Sequence, residues 1–467
     1  MPLRLKKVSS GIKGLDEVTD GGLPAGRTTL ICGGPGCGKT LLAATFIAQG
    51  ALHDGEPGVL VTFDERAKDL EVNTASLGFD FVGLQKKNLV EIDYIHIDRQ
   101  EIHETGEYDL EGLFIRLGFA IDKIKARRVV LDGIDTLFAG IPNQAILRSE
   151  LRRLFHWLKE RNLSSIVTAE RGEKNLTRHG IEEYVSDCVI VLEQRVQEEL
   201  TTRRLRVVKY RGSSHGTNEY PFLIDDKGIS LAPVTSLGLD HTVSDERVSS
   251  GISGLDLMLE GKGFYKGSSI LISGGPGTGK TSIGARFALA ATQRGERCLH
   301  LTFEESEAQL VRNMRSIGAD LRPAIDSGLL SIKAIRATSV GLEMHLTRIL
   351  HLIDDLKPDA VIADPLSALQ GGGTQAQATL MVLRLIDHLK ALGTTALFLN
   401  VQGDQDGTDL NISSLMDTWI TIRNIHGSRE LKRQLYIVKS RGMAHSADMR
   451  DFSIGPGGVD VFERQAG

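Results

Sequence analysis

Short apolar runs alternate along this chain with longer segments of helical period. In the first half, Thr29-Leu30-Ile31-Cys32, Val59-Leu60-Val61-Thr62-Phe63, Arg128-Val129-Val130-Leu131-Asp132 and Ser165-Ile166-Val167-Thr168 are apolar on both faces. That pattern predicts strands buried on both sides, as in a parallel sheet. Between them Leu41–Ala51, Leu113–Ile124 and Ile146–Lys159 show the spacing of helices. The second half repeats the pattern with Ser269-Ile270-Leu271-Ile272-Ser273, Cys298–Phe303, Val361–Asp364 and Thr395–Asn400 as strands. Each half closes on alternating runs, Arg204–Tyr210 and Gln434–Lys439, which predict added antiparallel strands. The expected fold class is α/β: tandem domains, each a mostly parallel sheet with helices on both faces plus those antiparallel strands.

An internal repeat supports the duplication. Val8-Ser9-Ser10-Gly11-Ile12 returns as Val248-Ser249-Ser250-Gly251-Ile252, and Gly14-Leu15-Asp16 as Gly254-Leu255-Asp256. The period is too long for a solenoid. Residues 1–232 and 248–467 are therefore expected as the two domains, joined by a Pro-, Ser-, Thr- and Asp-bearing linker over 233–247. Composition changes this picture little. A net charge of −5, from 55 basic and 60 acidic residues, gives no general attraction to nucleic acid. No apolar run approaches the roughly 18 residues of a membrane span. The opening residues lack a signal-peptide core, and the four cysteines form no disulfide or zinc pattern. The expectation is a cytoplasmic protein without membrane or nucleic-acid partners.

Candidate chemistry gathers at the ends of the strands. Gly33-Gly34-Pro35-Gly36-Cys37-Gly38-Lys39-Thr40 and Gly274-Gly275-Pro276-Gly277-Thr278-Gly279-Lys280-Thr281 both have the G-x-x-x-x-G-K-[ST] spacing of a P-loop. The glycines let successive N–H groups turn toward a phosphate. Lys39 and Lys280 reach its terminal oxygens, and the hydroxyls of Thr40 and Thr281 ligate Mg²⁺. Asp132 and Asp364 each close an apolar strand downstream, as expected of a carboxylate supporting Mg²⁺. Carboxylate pairs, Asp64-Glu65 and Glu304-Glu305, follow the strand after each P-loop helix, where a general base or water-orienting group belongs. Which member of each pair acts stays open, and Glu304 is also a candidate toward the metal. Late in each half, Lys209-Tyr210-Arg211-Gly212-Ser213-Ser214-His215 is matched by Lys439-Ser440-Arg441-Gly442-Met443-Ala444-His445. Lys and Arg two apart on a strand share a face, so the repeated K-x-R-G-x-x-H suggests a cationic clamp on phosphate.

Together these residues resemble the KaiC family of double-domain, RecA-like ATPases and autokinases, over nearly the whole chain. The run Lys209–Phe222 is especially specific. The resemblance implies a ring of six identical subunits with ATP and Mg²⁺ between neighbours. One subunit would give the loop residues Gly36, Cys37, Gly38, Lys39, Thr40 and Leu41, or Gly277, Thr278, Gly279, Lys280, Thr281 and Ser282. Ser76 belongs to the same implied nucleotide-binding set. The K-x-R-G-x-x-H strand would reach the same nucleotide from the next subunit. It implies contacts from Lys209, Tyr210, Arg211, Ser213 and His215 in one half, and from Arg433, Lys439, Ser440, Arg441 and His445 in the other. The resemblance further implies a slow ATPase in the first domain and phosphate transfer to adjacent hydroxyls in the second. Asn411–Thr418 matches that acceptor motif, giving Ser413 and Ser414, with Thr408 as a further hydroxyl. At the corresponding places of the first half, counted from Asp187, stand Glu183 and Tyr184.

Two departures qualify the resemblance. Both acceptors are serine where the family has Ser then Thr, so the family's order of phosphorylation is not carried over to Ser413 and Ser414. The last strand-like run, Val459–Phe462, lies close to Gly467, so dependence on the activator KaiA through a C-terminal tail is not expected. A KaiB-like partner is compatible with the first domain. Alternative readings are a RecA-like ATPase acting on DNA and a nucleotide-dependent scaffold without transfer. The acidic balance and 5% aromatic content weigh against the DNA reading.

Overall fold

The computed structural model describes residues 5–95, 110–138, 144–172, 176–177, 180, 185–197, 200–225, 228–231, 244–338, 340–401, 412–426 and 431–462. The chain divides into two compact units, Met1–Ser236 and Leu237–Gly467.

Each unit is built on a nine-stranded sheet. In the first, the spatial order is Val90–Tyr94, Gly58–Thr62, Arg128–Asp132, Ser164–Glu170, Thr28–Gly33, Cys188–Gln197, Leu200–Tyr210, Tyr220–Asp225 and Gly228–Leu231. The first six run parallel, and the last three join by antiparallel pairing. The second unit repeats the order with Leu330–Ala334, Cys298–Thr302, Ala360–Asp364, Thr395–Val401, Ser269–Gly274, Thr418–His426, Leu431–Ser440, Arg450–Gly455 and Gly458–Phe462. The apolar runs occupy the central strands because both faces of those strands are covered. Ile31 and Ile166 pack into one core cluster, while Leu30, Cys32 and Val167 pack into the cluster on the opposite face.

The repeated N-terminal signature is structural. Asp16 accepts from Ser9 Oγ and Ser10 N, both at 2.8 Å, and Asp256 accepts from Ser249 Oγ and Ser250 N, fixing the turn before the first helix. A Cβ on Gly14 would stand 2.2 Å from the Leu231 carbonyl oxygen, and one on Gly254 would stand 1.7 Å from that of Val461. Only glycine lets the last strand of each unit close against that turn.

One local expectation changes. The strands holding Lys209 and Lys439 end at Tyr210 and Ser440, so Arg211 and Arg441 sit in the following turn rather than two apart on one strand face. A bulge beside Val189 and another beside Trp419 also shift the register just before these ends.

Candidate functional site

Each P-loop joins the central strand of its sheet to a long helix, Lys39–His53 or Lys280–Gln293. Gly38 and Gly279 are left-handed, at φ 100° and 101°, and neither helix start is capped by a side chain. Its first N–H groups are thus directed into the loop, where an anion would complete them. Lys39 Nζ donates to the carbonyls of Gly33 and Gly34 at 2.9 and 3.0 Å, and Lys280 Nζ to those of Gly274 and Gly275 at 2.8 Å each. A Cβ on Gly34 or Gly277 would meet nothing within 4 Å, so the concave side of each loop is open. The donor set therefore fits a nucleotide polyphosphate. Burial pulls the Lys280 ammonium down to about 8, against the opposing charges of Asp364 and Glu304.

The carboxylates lie where the loops need them. Thr40 Oγ1 donates to Asp132 Oδ2 at 2.8 Å, and Thr168 Oγ1 to Asp132 Oδ1 at 2.6 Å. Burial raises Asp132, and those two hydrogen bonds oppose the rise. Asp364 is pushed up to about 6, first by burial, with a hydrogen bond from Thr281 opposing. A Thr hydroxyl beside a carboxylate at a loop of N–H donors and a lysine is the donor set that Mg²⁺ and phosphate require. Among the described residues no group of three or more His, Cys, Asp or Glu has metal-site geometry. Any Mg²⁺ here would draw on Asp132 with Thr40, or Asp364 with Thr281, and on the phosphates.

The carboxylate pairs separate into two environments. Glu65 and Glu305 are half-buried, and each has its backbone N–H on the preceding threonine, Thr62 Oγ1 at 3.1 Å and Thr302 Oγ1 at 3.2 Å. Asn73 Nδ2 donates to Glu65, and Asn313 Nδ2 to Glu305 Oε1 at 3.1 Å. Burial raises Glu65, while the Asn73 hydrogen bond opposes the rise. Asp64 and Glu304 are exposed, with Asp64 taking the hydroxyl of Thr136. Sequence reading missed Asn73 and Asn313, although both stand eight residues after a paired glutamate. Ser76 ends the helix that bears Asn73 and donates to Asn73 O at 2.8 Å; Ser316 does the same to Asn313 O at 2.6 Å.

The remaining candidates fall into two groups. Cys37, Leu41 and Ser282 are buried at 1%, 8% and 7% exposure, so their side chains are covered by the protein and only their backbone could meet a ligand. Tyr210 donates its phenol to Gly22 O at 2.9 Å, and Ser440 Oγ meets Thr418 Oγ1 at 2.8 Å; both face their own core. Lys209, Lys439, Ser213, His215 and His445 are half-buried, and Arg211 and Arg441 are exposed. His215 stacks on Tyr210 with centroids 6.4 Å apart. Thr278 Oγ1 closes the second loop onto Gly275 O at 2.9 Å. Arg433 Nε is buried without a hydrogen-bond partner among the described residues, and so is Nε of Arg203. Arg203 pairs with Gln194 and Arg433 with Asn424, the same register place in both sheets. The charge of Arg203 is felt at Cys37 in the first loop. Sequence reading included Arg433 but not Arg203.

Ser413 and Ser414 form a short 3-10 turn with Leu415, anchored by the fully buried Ile412 and Met416; Ser413 is half-buried and Ser414 exposed. Thr408, Glu183 and Tyr184 lie outside the described residues.

Two nine-stranded, mostly parallel sheets, each with a P-loop between central strand and helix and a carboxylate on the adjoining threonine, define a tandem RecA-like P-loop ATPase. Comparison with known proteins gives the family. The family description "ATPase: KaiC" matches residues 8–236 and again 248–466, and the chain belongs to the KaiC family. Its relatives include the circadian clock protein KaiC2 of Synechocystis sp., 52% identical over the whole of this chain and 83% of that protein. The circadian clock oscillator protein KaiC of Synechococcus elongatus is 37% identical over 98% of this chain and 89% of its own length. The circadian clock protein KaiC3 of Synechocystis sp. is 36% identical over 98% and 92%.

Proposed function

We propose that this protein is a homohexameric, Mg²⁺-dependent ATPase whose second domain is also a serine autokinase, serving circadian timing or stress signalling in the cytoplasm. The observation that carries the kinase reading is the partly exposed hydroxyl pair Ser413-Ser414 of the second half, fixed by a buried residue on either side. Lys39 and Lys280 would leave their loop carbonyls for the terminal phosphate oxygens of ATP, with Thr40 and Asp132, or Thr281 and Asp364, holding Mg²⁺. Bound Mg·ATP supplies the electrophilic phosphorus and a charge-neutralised leaving group.

In the first domain the Asp64-Glu65 pair orients water and accepts its proton. In the second, the hydroxyl of Ser413 or Ser414 of an adjoining copy replaces water. The new O–P bond forms as the bond to the bridging oxygen breaks, ADP departs, and the serine proton passes to the Glu304-Glu305 pair. Lys209, Arg211 and His215, with Lys439, Arg441 and His445, would complete the neighbour's site in a closed ring of heterologous interfaces. Thr408 is a further acceptor. A KaiB-like partner fits this reading, whereas DNA and membranes do not enter it.

Incubation with Mg²⁺ and γ-labelled ATP, followed by mass-spectrometric mapping, tests it. Label on Ser413 or Ser414 supports the autokinase. ATP hydrolysis with Ser413, Ser414 and Thr408 all unmodified removes it and leaves an ATPase or scaffold.

A further inference from the structure

Arg441 does more in this chain than point outward for a neighbour. Its Nη2 donates to the carbonyl oxygen of Ser414 at 2.6 Å, and its own backbone N–H bonds Asp417 O at 2.8 Å. Arg441 is thus tied by its side chain to the turn that bears the candidate acceptors, and by its backbone to Asp417 just beyond it. Its other N–H groups make no hydrogen bond among the described residues, and a guanidinium offers five donors in a planar fork.

The surroundings are cationic. Lys390 Nζ lies 2.9 and 3.0 Å from the two oxygens of Asp417, whose carboxylate also accepts from Ser269 N and Ser269 Oγ at 2.9 and 2.8 Å. Lys439 stands two residues before Arg441 at the end of the same strand. Burial holds the Lys439 ammonium below its ordinary value, and the charges of Arg441 and Lys390 add to that. Lys390 and Lys439 therefore face the one carboxylate of Asp417, already occupied by Ser269 and Lys390, and Arg441 adds a further cation. The excess positive charge sits beside an exposed serine.

We propose that this cluster, with Arg441 as its fork, receives the phosphate carried by Ser414 of the same chain. The inference rests on the reading of Ser414 as an acceptor. A guanidinium already on the carbonyl of a residue needs only a side-chain rotation to bind a phosphate on that residue's hydroxyl, and the bidentate geometry suits a phosphate dianion. The consequence is intramolecular: an Arg441 that holds the product phosphate is unavailable to the nucleotide of an adjoining copy.

The test uses the full chain, free of nucleotide, with phosphoserine installed co-translationally at position 414, and follows the ³¹P resonance with pH. A free phosphoserine loses its second proton at about pH 6. With Arg441 in place the midpoint is expected about one pH unit lower, and in R441Q it returns to about 6. A midpoint near 6 with Arg441 present overturns the proposal, and so does a low midpoint that survives R441Q. Should R441Q not fold, the value with Arg441 present decides alone. Because the phosphate is installed rather than transferred from ATP, failure of autophosphorylation would sink the kinase reading and leave this result legible.

Discussion

In the first half Asp132 is gripped from two sides, by Thr40 on the phosphate loop and by Thr168 on the neighbouring strand. In the second half Leu399 occupies the register place of Thr168, opposite Ile272 as Thr168 is opposite Ile31. Asp364 keeps the loop threonine and faces His300, 3.9 Å away, where the first half has Leu60. Behind the second loop lies Asn400, fully buried with no partner for its amide among the described residues, at the place of Ala169. The loops themselves superpose in role: lysine on two carbonyls, left-handed glycine, uncapped helix. What binds phosphate is thus duplicated, and what surrounds it has diverged. Duplicated sites can keep one binding chemistry while the shells behind them set different reactions.

Removing the carboxylate pairs one half at a time should separate the two sites most strongly. Glu304→Gln with Glu305→Gln should cut label on Ser413 and Ser414 by roughly a hundredfold or more while ATP hydrolysis by the first domain persists. Asp64→Asn with Glu65→Gln should do the reverse. Equal loss of both activities from either variant would mean that the halves do not divide the chemistry. A smaller effect concerns support. Thr168→Val leaves Asp132 without one of its two donors and should cost the first unit about 2 kcal/mol, read by hydrogen exchange of its central strands. The second unit, which has Leu399 there, should not change.

The smallest effect is a pH dependence confined to the second half. Burial drives His300 from 6.5 down to about 4, so the folded unit keeps it neutral where the unfolded chain is protonated. The sign follows from proton counting. The unfolded state binds more protons between those values, so stability is full above about pH 6.5 and falls as pH drops toward 4. His300→Leu should flatten that acid limb by about 1 kcal/mol at about pH 5.5, measured by hydrogen exchange in strand Cys298–Thr302. An unchanged acid limb would show that His300 is solvated when the unit is folded.

Much of this was legible in the sequence because the relevant signals are local and repeated. Strand Arg128–Asp132 appears with the bounds its apolar run gives, and the other strands and helices differ by a few residues at their ends. The loops, Asp132 and Asp364 follow from spacing alone. What was not legible depends on side-chain direction. Nothing local says that Tyr210 turns its phenol to Gly22, that Cys37 faces the core, or that Arg441 leaves the strand before it can share a face with Lys439. Asn73 and Asn313 were visible only by laying one half on the other, since an isolated helical Asn carries no signal. Ser414 and Arg441 lie 27 residues apart in sequence, and only the fold brings them to 2.6 Å.

In the proposed division of labour the Gly33–Thr40 site gives its phosphate to water and the Gly274–Thr281 site gives it to serine. The most direct measurement follows released and protein-bound phosphate together from γ-labelled ATP, in the natural chain and in Lys280→Ala. Protein-bound label is expected only on the Ser413-Ser414 pair and Thr408 in the natural chain. In Lys280→Ala that label should vanish while inorganic phosphate continues to appear. Label that persists on Ser413 or Ser414 without Lys280, or hydrolysis in the natural chain with no label on protein at all, would contradict it.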